Sequence, residues 1–378
     1  MKILQVIPRF NPALGGGVNV VYNISKFMAR RGHDVTIITT NYKFDIGYSK
    51  IIGKEGVEVI PFDYLFNLHL FIPSPTMKNW LFKNIKKYDI IHLNGARAYQ
   101  NNIIYKYAIK YDVPYVLQTH GSILRIIEIQ RLKRLYDIIW GYKLYKGASK
   151  VIALTQSEAE ACSSMGVAKN KVEIIPNGID LSEFNNFPRK GEFRKKYSIG
   201  NNEKLILYLG RLHKSKGIDL LLKTFSNLIK DLDDAKLILV GPDDGYKNKL
   251  ERLVNDLDVK NKIIFTGHVS ENEKMMALVD ADVFVTPRFY GFPITFLEAL
   301  ACGVPIITTN KGDFIEGIDD KVGFVVEHNK KGLKNALLKI LVDDELRKRF
   351  KENAKKKSRD YDWDKIIENI ERVYEKCV

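Results

Sequence analysis

The chain has 378 residues, of which 45% are hydrophobic and 11% aromatic. This length is typical of two domains, and the composition excludes a disordered chain. Three cysteines, odd in number and widely spaced, predict neither a disulfide framework nor a zinc site. The net charge is +15, and residues 1–185 hold 24 Lys and Arg against 14 Asp and Glu. Such a balance attracts nucleic acid, anionic membranes or phosphorylated small molecules without choosing among them.

Apolar runs alternate with helical patterns from the N-terminus onward. The first run, MKILQVI, is too short for a secretory hydrophobic region, and no run reaches the roughly 18 apolar residues of a spanning helix. A cytoplasmic protein is therefore expected. After a helix near 18–31, further strands are predicted at DVTIITT, VEVIPF, DIIHLN, PYVLQTH, KVIALT and VEIIPNG. This rhythm predicts a doubly wound α/β domain with a mostly parallel sheet.

The rhythm restarts after the polar stretch 185–203, with strands predicted at KLILYLGR, AKLILVG, KIIFTG, DVFVTP, VPIITT and VGFVV. The charged C-terminus predicts two helices. We expect a first domain over 1–185, a second over 186–360, and a C-terminal helix over 361–378 that packs back on the first domain. Open α/β sheets bind ligands at the carboxyl ends of their strands, so the loops there are candidate sites.

A glycine-containing loop follows the first strand of each series. Gly15–Gly17 precede the first helix, but without G-x-G-x-x-G spacing, so they either allow close approach to a ligand or make a tight turn. In the second series Arg211 and Lys216 lie between Gly210 and Gly217. Two cations beside a helix start suit a diphosphate; the alternative is solvated surface charge.

Four other ionisable residues stand near predicted strand ends or within a predicted helix. His120 ends the strand PYVLQTH and is either functional or a satisfied structural histidine. Glu298 is the one acid in the apolar run ITFLEALAC. Two adjacent ribose hydroxyls would satisfy its carboxylate, whereas the alternative is an acid on an exposed helix face. Asp280 and Asp282 lie at the amino end of a strand, away from the ligand edge, so no metal site is predicted.

Six ordered pieces together resemble the retaining glycosyltransferases of glycosyltransferase family 4. The pieces are GGG at 15–17, RRGHDVTIIT at 30–39, THG at 119–121, PNGID at 176–180, GRL with KG at 210–217, and GFPITFLEALACGVPII at 291–307. Each is common alone, but their order and spacing are specific and span nearly the whole chain. The resemblance implies the GT-B fold, in which two Rossmann-like domains face each other. It also implies sugar transfer from a nucleotide-sugar donor to a glycan or lipid-linked acceptor, with retention and without a metal or cofactor.

The resemblance also implies roles for the residues of the second domain. Arg211 and Lys216 would hold the donor diphosphate, with backbone donors at Ile294 and Thr295, and Glu298 would bind the nucleoside ribose.

Further roles follow for two loops and one histidine. The base-binding loop would contain His268 and Val269. The loop Gly15–Gly17 would approach the donor phosphate or the acceptor, and the catalytic His120 would lie by the transferred sugar.

The donor-sugar region departs from the family. It covers Tyr290, Gly291, Phe292 and Pro293, and Tyr290 stands where the family usually has a second glutamate that contacts the sugar. A tyrosine has no charge and cannot clamp two hydroxyls. An altered donor preference is therefore expected. A nucleotide-sugar-binding protein without catalysis remains an alternative, as does a GT-B-type sugar-nucleotide epimerase, although the additional acid/base carboxylates that such an epimerase would need are not evident.

Two basic stretches of the first domain favour an acceptor at an anionic membrane surface, on the inner face of the cell membrane. Residues 124–150 and 65–87 interleave Lys and Arg with apolar and aromatic residues, the former at helical spacing. The alternative is that both form ordinary helices packed on the sheet. No recognisable nucleic-acid-binding module is present, so no nucleic-acid partner is predicted.

Overall fold

The computed structural model describes residues 1–68, 71–123, 130–312, 318 and 321–378. Its contacts divide the chain into two compact units. The first is Met1–Gly178 with Trp363–Val378, and the second is Ile179–Asp362. The polar stretch 185–203 thus lies inside the second unit, where Phe193 is fully buried.

The first unit is built on a parallel sheet. Its strands are β1 (Lys2–Val6), β2 (Asp34–Thr40), β3 (Glu58–Phe62), β4 (Ile90–Asn94), β5 (Tyr115–Gln118), β6 (Lys150–Ala153) and β7 (Val172–Ile174). Their order is β3-β2-β1-β4-β5-β6-β7, and every pairing is parallel. The direction in which strands are added reverses between β1 and β4. Such a switch point is where open sheets bind ligands.

Helices cover both faces of this sheet. They are α1 (Gly16–Arg30), α2 (Ile46–Gly53), α3 (Pro75–Asn84), α4 (Tyr99–Tyr111), α5 (Gln130–Tyr136), α6 (Tyr142–Gly147) and α7 (Gln156–Ser164). One π-helical turn, Asp137–Gly141, joins α5 to α6. Within the described ranges, no helix is both long enough and apolar enough to cross a bilayer.

The second unit repeats the architecture. Its strands are β8 (Lys204–Leu209), β9 (Ala235–Val240), β10 (Ile263–Gly267), β11 (Val283–Thr286), β12 (Ile306–Thr309) and β13 (Gly323–Val326). They form a parallel sheet in the order β10-β9-β8-β11-β12-β13, so the switch point lies between β8 and β11. The helices are α8 (Glu192–Lys196), α9 (Ile218–Leu228), α10 (Lys247–Asp256), α11 (Glu271–Asp280), α12 (Ile294–Cys302), α13 (Lys330–Val342) and α14 (Asp344–Ser358).

The last helix, α15 (Trp363–Glu375), belongs to the first unit. One face of it is buried, as its apolar spacing requires. The Trp363 ring lies against Gly178, where an added Cβ would come within 2.5 Å of the ring. On the same helix, the Tyr374 hydroxyl lies 2.6 Å from Nδ1 of His92 in β4. Aromatic packing and a buried polar contact therefore hold the C-terminus on the first sheet.

All of the strands predicted from the sequence are present in the structure. The predicted fold class, an α/β protein with two doubly wound parallel-sheet domains, is confirmed.

Candidate active site

In the second unit, the loop after β8 brings two cations together. Arg211 and Lys216 stand between the end of β8 and the start of α9. Gly217, with a φ of 70°, occupies the left-handed region that favours glycine. An added Cβ there would lie 3.2 Å from the Pro287 Cβ. Glycine thus allows the chain to turn closely past the loop that follows β11.

The two cations differ in how their charges are balanced. Arg211 is exposed and forms an ion pair with Asp244 at 2.5 Å. Lys216 is half-buried, and no carboxylate of the described residues pairs with it. Burial, followed by the nearby charge of Arg211, lowers the pKa of Lys216. A bound anion would oppose both effects, so this loop can bind a phosphate group.

Glu298 of α12 has two oxygens in different environments. The side chain is not on an exposed helix face, since the residue is 9% exposed. Its Oε1 accepts a hydrogen bond from Nζ of Lys274 in α11 at 2.6 Å. Burial opposes the charge of Lys274, but Glu298 and Glu271 outweigh it and raise the pKa of this lysine. Oε2 of Glu298 is buried and has no hydrogen-bond partner among the described residues. It is therefore available to a ligand hydroxyl.

The loop after β11 leads into α12 without a side-chain cap. Pro293 is the N-cap residue, so the first N–H groups of the helix, at Ile294 and Thr295, have no intrahelical partners. Gly291 has a φ of 73°. Before it, the half-buried ring of Tyr290 lies under the guanidinium of Arg288, with Cζ 5.2 Å from the ring centroid.

His268 and Val269 follow β10. His268 is exposed and Val269 is half-buried, and the next residue, Ser270, caps α11 by accepting a hydrogen bond from the Glu273 N–H. Because the sheet is parallel, the loops after β8, β10 and β11 leave the same edge. The second unit thus places its predicted site residues in the loops at the carboxyl edge of its sheet and in the first half of α12, up to Glu298.

In the first unit, the glycine loop follows β1. Gly15 has a φ of 120° and is the N-cap of α1, without a side-chain capping bond. An added Cβ at Gly15 or Gly17 would meet no atom within 4 Å. Backbone conformation therefore favours glycine at position 15, while the space around the helix start is open.

His120 lies just beyond β5, and the hydrogen bonds of Asn94 define the tautomer of its ring. The Asn94 amide donates to Oε1 of Gln5 and the carbonyl of Val6, so its Oδ1 faces Nε2 of His120 at 2.8 Å as an acceptor. Nε2 of His120 is consequently the protonated nitrogen, and Nδ1 is buried with no hydrogen-bond partner from the residues that the structure describes. Burial lowers the pKa of His120 to about 4. The neutral ring thus offers one free acceptor. The backbone of His120 has a φ of 50°, in the left-handed region that few non-glycine residues occupy.

A buried carboxylate holds the loop around His120. Glu158 is fully buried and accepts hydrogen bonds from the Thr119 hydroxyl, the Gly121 N–H at 2.7 Å and the Leu154 N–H at 2.7 Å. Neither this glutamate nor Asn94 was singled out in the sequence, because both act on residues far away along the chain.

Arg97 connects this loop to the segment 130–147. Its guanidinium donates to the carbonyls of Ser122 and Ile123 at 2.5 and 3.0 Å. It also forms a two-point ion pair with buried Asp137, in the π-helical turn, at 2.8 and 2.9 Å. Through Asp137 and Arg97, the segment 130–147 is thereby anchored to the loop that follows His120. Residues 124–129 of the predicted basic helix lie outside the described residues.

Asp280 and Asp282 make structural contacts. Asp280 accepts hydrogen bonds from the N–H groups of Gly191 and Arg194, and Asp282 pairs with the Arg194 guanidinium at 3.2 Å. These bonds fasten the start of the second unit to its sheet.

Comparison with known proteins places the chain in a family. Residues 14–183 match Glycosyltransferase Family 4, and residues 189–357 match Glycosyl transferases group 1. The chain belongs to these glycosyltransferases. The resemblance read from the six sequence pieces is therefore confirmed, and the protein is a glycosyl-transferring enzyme.

Relatives of this glycosyltransferase align along most of its length. An uncharacterised glycosyltransferase of Methanocaldococcus jannaschii is 29% identical over 99% of this chain and 98% of its own. The alpha-monoglucosyldiacylglycerol synthase of Streptococcus pneumoniae is 26% identical over 90% of this chain and 78% of its own. The crystal structure of Anabaena HepE in complex with UDP superposes with a TM-score of 0.81, at 19% identity, over 99% of this chain and 100% of that one. The chain has the GT-B fold.

Proposed function

We propose that this glycosyltransferase moves a sugar from a nucleotide-sugar donor to a glycan or lipid-linked acceptor, with retention and without a metal ion. The observation that carries the proposal is Lys216, a half-buried cation that no carboxylate of the described residues neutralises. It stands beside Arg211 at the carboxyl edge of the second sheet. A donor diphosphate would supply the missing negative charge, as the complex of HepE with UDP illustrates for a protein of this fold.

The same groups would stabilise the leaving nucleoside diphosphate. Arg211 can bridge two phosphate oxygens, Lys216 supplies a point charge, and Ile294 and Thr295 offer free N–H groups at a helix start. Negative charge grows on the phosphate oxygen as the glycosidic bond breaks, and preorganised donors stabilise it without a metal ion. An acceptor hydroxyl then attacks C1 of the oxocarbenium-like ion pair from the face that the diphosphate leaves, which accounts for retention. Its proton passes to the departing phosphate oxygen.

Glu298 would bind the ribose of the donor. Its Oε2 is buried with no partner among the described residues and can accept a hydrogen bond from one ribose hydroxyl, while Lys274 holds Oε1 in place. His268 and Val269 would line the base, because their loop leaves the same sheet edge.

His120 would accept a hydrogen bond from a sugar hydroxyl near the reaction centre. The acceptor is Nδ1, since Asn94 occupies the other ring nitrogen. With a pKa lowered to about 4, the ring stays neutral at physiological pH. The backbone N–H groups at Gly15–Gly17 would contribute to the binding of donor phosphate or acceptor.

For the acceptor we propose a lipid-linked molecule at an anionic membrane surface. The segment 130–147 exposes large apolar side chains instead of packing them on the sheet: Leu132, Leu135, Ile138, Ile139, Trp140 and Tyr142 are 40–62% exposed. Exposed cations alternate with them at Arg131, Arg134, Lys143 and Lys146. This combination is typical of helices that lie in the headgroup region.

A second exposed apolar loop lies close to this segment. Leu65, Phe66 and Leu68 are 52–70% exposed, while His69 and Leu70 lie outside the described residues. Both elements pack on the start of α4. The loop packs there through Phe71, whose ring meets Tyr99 edge-on at 5.4 Å, and the segment through the Tyr136 hydroxyl, 2.8 Å from Asn102. The two exposed surfaces therefore border one region of the first unit.

The donor proposal is tested with a panel of nucleotide sugars. Thermal shift identifies the nucleotide that stabilises the protein, because a ligand of the folded state alone raises its melting temperature. Arg211→Ala and Lys216→Ala should each remove most of the shift, and unchanged shifts would refute the diphosphate assignment. Release of the nucleoside diphosphate with transfer to an acceptor separates this enzyme from a binding protein without catalysis.

The membrane proposal is tested by cosedimentation with liposomes. Binding should rise with the fraction of anionic lipid and fall as salt screens the surface charge. The double substitution Leu135→Ser and Ile138→Ser should weaken it, whereas Ile46→Ser, at an exposed apolar residue of α2, serves as the matched control. Equal binding by all three proteins would contradict this assignment and leave the donor proposal intact.

A further inference from the structure

Arg288 is a cation that the proposed roles leave unused. It follows β11, beside the switch point of the second sheet. Among the described residues its Nε is buried without a hydrogen-bond partner, and its guanidinium lies over the ring of Tyr290. Across the described part of the chain, no carboxylate forms an ion pair with it. A buried guanidinium nitrogen without a partner is costly, so a ligand acceptor there would be favourable.

The position of Arg288 links it to the donor site. Its Cβ lies 3.5 Å from the place that a Cβ would take on Gly217, the residue after Lys216. Arg288 and Lys216, two cations without a carboxylate partner in the described part of the chain, thus belong to neighbouring loops at one edge of the sheet. Arg211 and Lys274, by contrast, have carboxylate partners in Asp244 and Glu298.

A donor diphosphate accounts for the charge at Lys216, but no carboxylate of the described residues neutralises Arg288. Arg288 stacks on Tyr290, within the loop proposed to contact the donor sugar, and Tyr290 contributes a ring and a hydroxyl but no negative charge. An arginine fork held against an aromatic face suits a planar carboxylate, which it can bind through two hydrogen bonds.

We propose, resting on the proposed function, that the transferred sugar carries a carboxylate and that Arg288 binds it. The donor is then a nucleoside diphosphate hexuronic acid. Tyr290 holds the guanidinium by stacking and leaves its positive charge available to the ligand. A glutamate at position 290 would instead neutralise Arg288 and favour a neutral sugar.

The test compares donors that differ only at C6 of the sugar: UDP-glucose with UDP-glucuronic acid, and GDP-mannose with GDP-mannuronic acid. Isothermal titration should show that the acidic member of the accepted pair binds about tenfold more tightly or better. Arg288→Gln should abolish this preference and leave the affinity for the bare nucleoside diphosphate within about twofold. Arg252→Gln, at an exposed arginine of α10, is the matched control and should retain the preference.

Two further variants guard against misfolding. Arg288→Lys keeps the charge without the fork and should retain part of the preference, whereas Tyr290→Glu should shift it toward the neutral sugar. Equal affinities for acidic and neutral donors in the parent protein would overturn the inference. A loss of bare nucleoside diphosphate affinity in Arg288→Gln, as large as the loss for the acidic donor, would assign Arg288 to the phosphates instead. Failure of every nucleoside diphosphate to bind would overturn the proposed function itself.

Discussion

At the scale of single residues, the candidate donor site depends on a carboxylate whose two oxygens are not equivalent. Lys274 holds Oε1 of Glu298, and Oε2 has no hydrogen-bond partner in the described part of the chain. Glu298→Gln should therefore weaken the binding of the ribonucleoside diphosphate about tenfold, because a charge-assisted hydrogen bond is lost. The binding of the 2′,3′-dideoxy nucleotide should weaken by about twofold or less in the same variant, since this nucleotide lacks the ribose hydroxyls. Isothermal titration measures both, and equal losses would show that Glu298 has a structural role only.

The buried histidine His92 makes a prediction about acid stability. Burial, followed by the charge of His120, lowers the pKa of His92 to about 3. Between the ordinary histidine pKa near 6.5 and this lowered value, the unfolded chain binds a proton that the folded chain does not. The free energy of unfolding should therefore fall with decreasing pH across this window, by up to about 1.4 kcal/mol per pH unit for this proton.

His92→Gln removes the titrating group while keeping a polar side chain near the Tyr374 hydroxyl. Urea unfolding at pH 7, 6, 5 and 4 should show a shallower loss of stability in this variant than in the parent protein. Parallel curves over this range would contradict the assignment.

At the scale of elements, α15 packs so closely on the first unit that position 178 has no room for a methyl group. An added Cβ at Gly178 would lie 2.5 Å from the Trp363 ring. Gly178→Ala should lower the free energy of unfolding by about 1–3 kcal/mol, the usual cost of overpacking. Gly53→Ala, where no atom lies within 4 Å and φ is not positive, is the control and should be neutral or stabilising. Unfolding in guanidinium chloride measures the free energy of unfolding of both variants. Equal unfolding midpoints for the two variants would refute this close packing.

Strands were predictable at this scale because those of a parallel sheet, covered on both faces, read as continuous apolar runs such as KLILYL in β8. The segment 130–147 was predictable only as a helical pattern. An apolar face has the same spacing whether it packs on a sheet or is exposed, so the exposure of Leu135 and Trp140 appears only in the structure. In the π-helical turn, Asp137 pairs with Arg97, forty residues earlier, and no local sequence signal predicts that pairing.

At the scale of the whole molecule, the candidate groups divide between the two units. Loop positions such as Lys216 and His120 were predictable because strand ends of α/β sheets bind ligands. Their partners were not, since Lys274 meets Glu298 across 24 residues and Asn94 meets His120 across 26. Sequence motifs indicate the candidate ligand-binding groups, and only the fold shows which distant residues orient them.

The most direct test of the diphosphate site at Lys216 is a thermodynamic cycle. It combines removal of the diphosphate from the ligand with removal of the Lys216 charge from the protein. Isothermal titration compares the preferred nucleoside diphosphate with its nucleoside, in the parent protein, in Lys216→Gln, and in Lys223→Gln, an exposed lysine of α9, as the control. In the parent and the control, the diphosphate should strengthen binding by about a hundredfold, as expected for two or more charge-assisted contacts. In Lys216→Gln this gain should fall by about tenfold or more. An identical gain in all three proteins would contradict a diphosphate site at Lys216.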